Sequence, residues 1–121
     1  MATAQLSNLR HSPRKVRLVA DLVRGKTVQH ALTVLKTVSK SAGRPLQKLI
    51  ESALAGARQT GTGTAETLIV SEIRVDEGQK IYRYRPASRG RASPIRKRAS
   101  HVLVTLAEKT PTVKKEAVAK K

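Results

Sequence analysis

"YRYRPASRGRASPIRKR", residues 82–98, carries seven arginines and lysines and no acid in seventeen positions. It holds both aromatic side chains of the protein, Tyr82 and Tyr84, and is punctuated by Pro86, Gly90 and Pro94. Like charge crowded in this way repels itself until a counter-charge meets it. The acid-free stretch is wider still, from Gly78 to Ala107. A structureless loop of that length is uncommon unless it is functional or disordered. The flanks suggest an ordered alternative. "TLIVSEIRV" (67–75) alternates with period two, which places Ile69, Ser71, Ile73 and Val75 on one face and Glu72, Arg74 and Asp76 on the other. "SHVLVTL" (100–106) is its partner, with Val102, Val104 and Leu106 turned inward. Lys80 to Arg85 then continues the first strand, Ile95 to His101 the second, and Pro86 to Pro94 forms the turn. The prediction is a long two-stranded β-ribbon. Arms of about ten residues at ~3.3 Å each reach on the order of 30 Å past the core.

Such a ribbon has little apolar surface to bury, and isolated hairpins are marginal in water. It is expected to move when free and to order against a polyanion. Arginine outnumbers lysine here, which suits forked contacts to phosphate oxygens. Tyr82 and Tyr84 share one side, where their rings can stack on bases or sugars or pack on the opposite arm. An unpartnered, solvated loop is the bland alternative.

The chain before the ribbon reads as helical. "HSPRKVRLVADLVRGK" (11–26) has Ser12 as a cap, Pro13 at the first helical position and Gly25 at the exit. Val16, Val19, Ala20 and Val23 share a face that Leu18 and Leu22 widen, while Arg14, Arg17 and Arg24 lie opposite. A second helix follows Thr27 through Val28, Ala31, Leu32, Leu35 and Val38. A third carries Leu46, Leu49, Ile50, Ala53, Leu54 and Ala57, with Pro45 tolerable only in its first turn. "QTGTGTAE" (59–66) is a loop.

Composition narrows the function. The 121 residues suit one domain, and a chain of this size buries roughly 65% of its unfolded surface. Without Phe or Trp, the core is aliphatic. Lys and Arg number 25 against 8 acids, a net charge of +17. Nucleic acid is the commonest partner for such a surface, with an anionic membrane second. The absence of cysteine excludes disulfides, thiolate catalysis and Cys-based zinc sites. No apolar run approaches the ~20 residues of a membrane span, and no secretory signal is visible, so an intracellular protein is expected. His11, His30 and His101 match no metal-ligand spacing. Asp76 and Glu77 are adjacent, so on a strand they point apart. "GTG" (61–63) lacks the strand-to-helix setting and the Lys of a phosphate loop. An enzyme, a metal site and a cofactor are therefore not expected.

Taken together, "SPRKVRLVADLVRGK", "ESALAGA", "VDEG" and "RPASRGRASPIRKRASHVLVTL" resemble the bacterial-type large-subunit ribosomal protein twenty-two family, in order and over residues 5–108. The resemblance implies an α+β fold with three helices packed on a small antiparallel sheet and a long protruding β-hairpin. It implies a single globular domain over residues 1–108 that includes the hairpin at about 78–101. The Lys-rich stretch 109–121 is read from its composition as a disordered tail. In that family the body sits on the subunit surface near the mouth of the peptide exit tunnel. The hairpin runs through large-subunit rRNA, its tip lines the tunnel wall, and macrolides bind nearby. The implied role is a cytoplasmic ribosomal constituent that binds rRNA and supports assembly. Its partners would be large-subunit rRNA, neighbouring ribosomal proteins and the nascent peptide, with no membrane and no homo-oligomer.

Position by position, the resemblance makes Arg14, Lys15, Arg17 and Arg24 candidate rRNA contacts on the first helix. On the ribbon arms the candidates are Lys80, Tyr82, Arg83, Tyr84, Arg85, Arg96, Lys97, Arg98 and His101. Pro86, Ala87, Ser88, Arg89, Gly90, Arg91 and Ala92 match the tunnel tip. Gln79, Ala87 and Ala99 depart from the family pattern, where Pro, Arg and Thr are common. The residues alone leave two other classes open. A free-standing regulator would place the ribbon in a nucleic-acid groove as a symmetric dimer. A membrane-surface protein would need the Trp, Phe or Leu face that the basic segment lacks.

Overall fold

The computed structural model describes residues 1–109. The elements run β1 (Ala2–Leu9), α1 (Pro13–Val23), α2 (Val28–Thr37), α3 (Gly43–Gln59), β2 (Leu68–Glu77), β3 (Ile81–Pro86), β4 (Ala92–Lys97) and β5 (Ser100–Glu108), with a short 3-10 turn at Ser88–Gly90. The predicted α+β class, three helices on an antiparallel sheet with a hairpin, is the class observed. The expected Lys-rich tail lies, from residue 110 onward, outside the described residues.

The body sheet has the order β1-β5-β2, all antiparallel. β1 was not anticipated. Its alternation is carried by Ala2, Ala4 and Leu6 against Thr3, Gln5 and Ser7, a weak apolar signal, yet it pairs with β5 from Ala2↔Leu106 to Leu6↔Val102. Past Leu6 the register shifts, Asn8 takes a positive φ of 57°, and Leu9 pairs with Ser100. β5 is thus the central strand, and Val102, Val104 and Leu106 are fully buried as predicted.

On β2 the predicted face is half wrong. Leu68 and Val70 are buried, then Ile73 and Val75, while Ser71 is exposed and Ile69 only half-buried. A register shift between Val70 and Glu72 inserts one residue against β5. That bulge reverses the inward parity partway along the strand.

The helices cover one face of this sheet. In α1, Val16, Val19, Ala20 and Val23 are buried. Leu18 and Leu22 do not widen this stripe, being 63% and 44% exposed. Ser12 occupies the N-cap position but makes no side-chain cap bond, so Pro13 alone marks the start. Thr27 does cap α2, its hydroxyl accepting from the His30 N–H at 3.4 Å. Pro45 sits in the first turn of α3, where its missing N–H has no helical acceptor to lose. All six apolar residues predicted for α3 are buried. Fully buried side chains such as Leu46, Ile50, Leu68 and Leu106 each contribute roughly 1.5–3 kcal/mol.

β3 and β4 form a separate two-stranded sheet in the register Ile81↔Lys97 to Pro86↔Ala92. Pairing therefore runs closer to the tip than predicted. Pro94 lies within β4 opposite Tyr84, and the turn shrinks to Ala87–Arg91. Proline fits because a two-stranded ribbon has two edges and each strand needs only alternate N–H groups. Neither arm is continuous: residues 78–80 separate β2 from β3, leaving Lys80 outside the strand it was expected to extend, and Arg98 and Ala99 separate β4 from β5.

Candidate RNA interface

The neck between body and ribbon is built from close backbone contact. The Gly78 N–H donates to the Ala99 carbonyl at 2.8 Å. Beside it, the buried Ser100 hydroxyl donates to the His11 carbonyl at 3.2 Å, tying β5 to the loop before α1. His101 is half-buried, and its Nδ1 accepts the Asn8 N–H at 3.1 Å. This candidate RNA contact therefore has one ring nitrogen committed to holding the β1 bulge.

These ties set the loop before α1 against the ribbon base and leave a cleft of about 890 Å³ between them. Arg10, His11, Ser12 and Lys15 line one side, Ser41 stands near, and Ile81, Arg83, Arg96, Lys97 and Arg98 line the other. Six cations thus converge, and none belongs to the three ion pairs found among the described residues. Arg10 was not singled out from the sequence. Its place in the basic run Arg10–Lys15 was the available signal. A smaller hollow of about 140 Å³ joins Arg14, Arg17 and Arg98 around Glu77, with Ser12 and Pro13.

Along the ribbon, Tyr82 lies opposite Arg96 and Tyr84 opposite Pro94, so these four share one face. The tyrosines are 57% and 74% exposed, which leaves most of each ring available for stacking. Arg83 and Arg85 share the other face with Ile95 and Lys97, and the Arg83 guanidinium donates to the Tyr82 carbonyl at 2.9 Å. At the tip every residue from Pro86 to Ala92 is exposed. Arg89 and Gly90 both take positive φ, and the Ala87 N–H closes the turn on the Arg91 carbonyl at 2.7 Å.

Two candidates are partly committed to the body. Arg17 donates from Nε and Nη2 to the Val75 carbonyl at 3.3 and 3.0 Å, and Arg24 donates to the Ile73 carbonyl at 3.0 Å. Both reach the outer edge of β2 rather than pointing away from the body, and Arg24 also pairs with Asp21. Lys80 pairs with Glu77 at 2.8 Å. That bond and charge, with Arg98 and Arg17 nearby, hold the Glu77 carboxyl below its ordinary range.

A family model described as Ribosomal protein L22p/L17e matches residues 4–107. The chain belongs to this family. L22p/L17e members are ribosomal structural components, not enzymes. Among similar proteins, a large ribosomal subunit protein uL22 of Syntrophobacter fumaroxidans is 52% identical over 101 residues, covering 84% of this chain and 92% of that one. Its counterpart in Myxococcus xanthus is 47% identical, over 88% of this chain and 96% of its own. That of Geobacter sulfurreducens is 46% identical, over 89% and 97%. The L22p/L17e match reaches from within β1 to within β5 and so takes in both the cleft and the ribbon.

Proposed function

We propose that this chain is a structural constituent of the large ribosomal subunit that binds large-subunit rRNA through the cleft and the ribbon and supports subunit assembly. The observation that carries the reading is the cleft itself, where six cations that form no ion pair among the described residues face one cavity from two parts of the chain. An RNA backbone entering it would be held by body and ribbon at once, which fixes the ribbon's direction as well as adding affinity. Four of these six, Arg83, Arg96, Lys97 and Arg98, come from the ribbon and its base, and Tyr82 and Tyr84 offer ring faces to unstacked bases. The uncommitted Nε2 of His101 is available to the same RNA. Arg14 and Lys15 serve from α1. Arg17 and Arg24 have donors left after binding their carbonyls and act as secondary contacts.

The tip, Pro86 to Ala92, is read as a part of the nascent-peptide tunnel wall in cytoplasmic ribosomes. Small Ala87, Ser88 and Ala92 keep it narrow, and Arg89 and Arg91 give it a positive rim. Deleting Ser88 to Ala92 tests the division of labour. Subunits are expected to assemble and keep the protein through a high-salt wash, with altered macrolide sensitivity or peptide-dependent stalling. Failure to assemble would make the tip an anchor. Unchanged drug response and stalling would remove it from the tunnel wall.

A further inference from the structure

The body sheet has two outer edges, and the fold treats them differently. Along β2 the edge is sealed from within. The Gly25 N–H donates to the Val70 carbonyl and the Val70 N–H to the Lys26 carbonyl, both at 2.9 Å, and Arg24 and Arg17 bind the next two outward carbonyls, Ile73 and Val75. Along β1, among the described residues, no hydrogen bond reaches the outer side of residues 2–7. An open edge is a template for another strand, and proteins usually blunt it with Lys, Pro or a cover. Here no charged side chain precedes Arg10, in a chain with 25 Lys and Arg.

Beside that edge runs a groove of about 450 Å³. α3 forms one wall with Pro45, Lys48, Leu49 and Ser52 at helical spacing, and Leu6 and Leu9 of β1 face them. Arg44 and Lys48 supply its charge. The groove is apolar where an added strand would place alternate side chains, and the free backbone groups lie alongside it.

We infer that the β1 edge is a strand-addition site, filled in the assembled particle by an extended segment of a neighbouring protein. Backbone groups of residues 3–7 would pair with it, apolar side chains of the incoming strand would enter between Leu6 and Leu49, and an acidic residue would meet Arg44 and Lys48. RNA fits less well, because the site offers strand-spaced backbone donors and acceptors and an apolar wall of Leu6, Leu9, Pro45 and Leu49, with only Arg44 and Lys48 for phosphates. A second copy would bring two Arg44 and Lys48 pairs together between chains of +17 each. Residues 110–121 of the same chain carry four lysines against one glutamate and would meet the same repulsion. The inference rests on membership of the large subunit, not on the reading of the cleft.

The test uses the full chain, free and in large subunits, with a benzophenone amino acid replacing Gln5, which lines the groove. Those amides of residues 3–7 that exchange fast in the free, unsubstituted chain are expected to slow on the order of a hundredfold in the particle. Irradiated particles are expected to yield an adduct to a peptide of another ribosomal protein, and Arg44→Glu with Lys48→Glu should lower its yield. Adducts to RNA, to a second copy or to residues 110–121 would overturn the inference. So would amides that exchange in the particle as they do in the free chain.

Discussion

Gly78 and Ala99 touch so closely that a side chain at position 78 has no room. A Cβ there would stand 3.0 Å from the Ala99 carbonyl carbon, 3.1 Å from its oxygen and 3.2 Å from its Cβ. Two of these are backbone atoms, held by the Gly78 N–H bond itself. Gly78→Ala should therefore push the neck apart, destabilising the protein by about 1–3 kcal/mol in urea unfolding. An unchanged midpoint would mean the neck yields freely.

Cutting the ribbon away should leave a folded body. β3 and β4 pair with each other and bury no side chain fully, while the aliphatic core lies in the helices, β2 and β5. Replacing Ile81–Lys97 by a short turn is expected to preserve a cooperative thermal transition. Its loss would make the ribbon part of the core.

Arginines of two kinds should separate experimentally. Arg17→Ala and Arg24→Ala each remove a donor from a β2 carbonyl and should lower stability by about 1–2 kcal/mol. Replacing Arg96, Lys97 and Arg98 by Ala should change stability far less, through the minor Arg98 influence on Glu77 alone, but alter RNA binding. For six phosphate contacts the slope of log affinity against log salt is roughly −4 to −5, and this triple change should flatten it by about 2–3. Matched urea titrations and salt-dependent binding of an rRNA fragment check both halves.

Glu77 makes the neck sensitive to acid. Its carboxyl is held low first by the hydrogen bond from Lys80 and by that side chain's charge, then by Arg98 and Arg17. A lowered folded value means the contribution is fully present above the ordinary Glu range of about 4.3 and is lost as pH falls through the folded value. Lys80→Ala should raise the Glu77 midpoint, read from its carboxyl carbon shift in an NMR pH titration. An unmoved midpoint would show that the pair does not form in solution.

What the sequence made legible was periodic or compositional. Buried positions of α1 and α3, the inward face of β5 and the basic ribbon all follow from spacing and charge. β1 escaped because alanines at positions 2 and 4 carry too little apolar contrast against Thr3 and Gln5. The β2 bulge escaped because a single inserted residue leaves each half of the strand correctly alternating. The partners of Arg17 and Arg24 lie 58 and 49 residues away, and no local pattern reports a guanidinium reaching a distant carbonyl. The cleft is of the same kind, since Arg10 and Arg96 meet only once the neck has formed.

The central place of β5 also has a consequence for biogenesis. Both other body strands pair with it, and Ala2 finds its partner only at Leu106. No rung of that sheet can form until nearly the whole described chain has left the ribosome making it. Closing so long a loop is slow, and contacts this distant in sequence belong to slow-folding topologies. Until then the growing polypeptide has helices without a sheet to cover and a highly cationic stretch without an anion. The helices can form early, but the body becomes a folded object only once β5 has emerged. Capture by RNA or a chaperone at that moment would therefore set its yield.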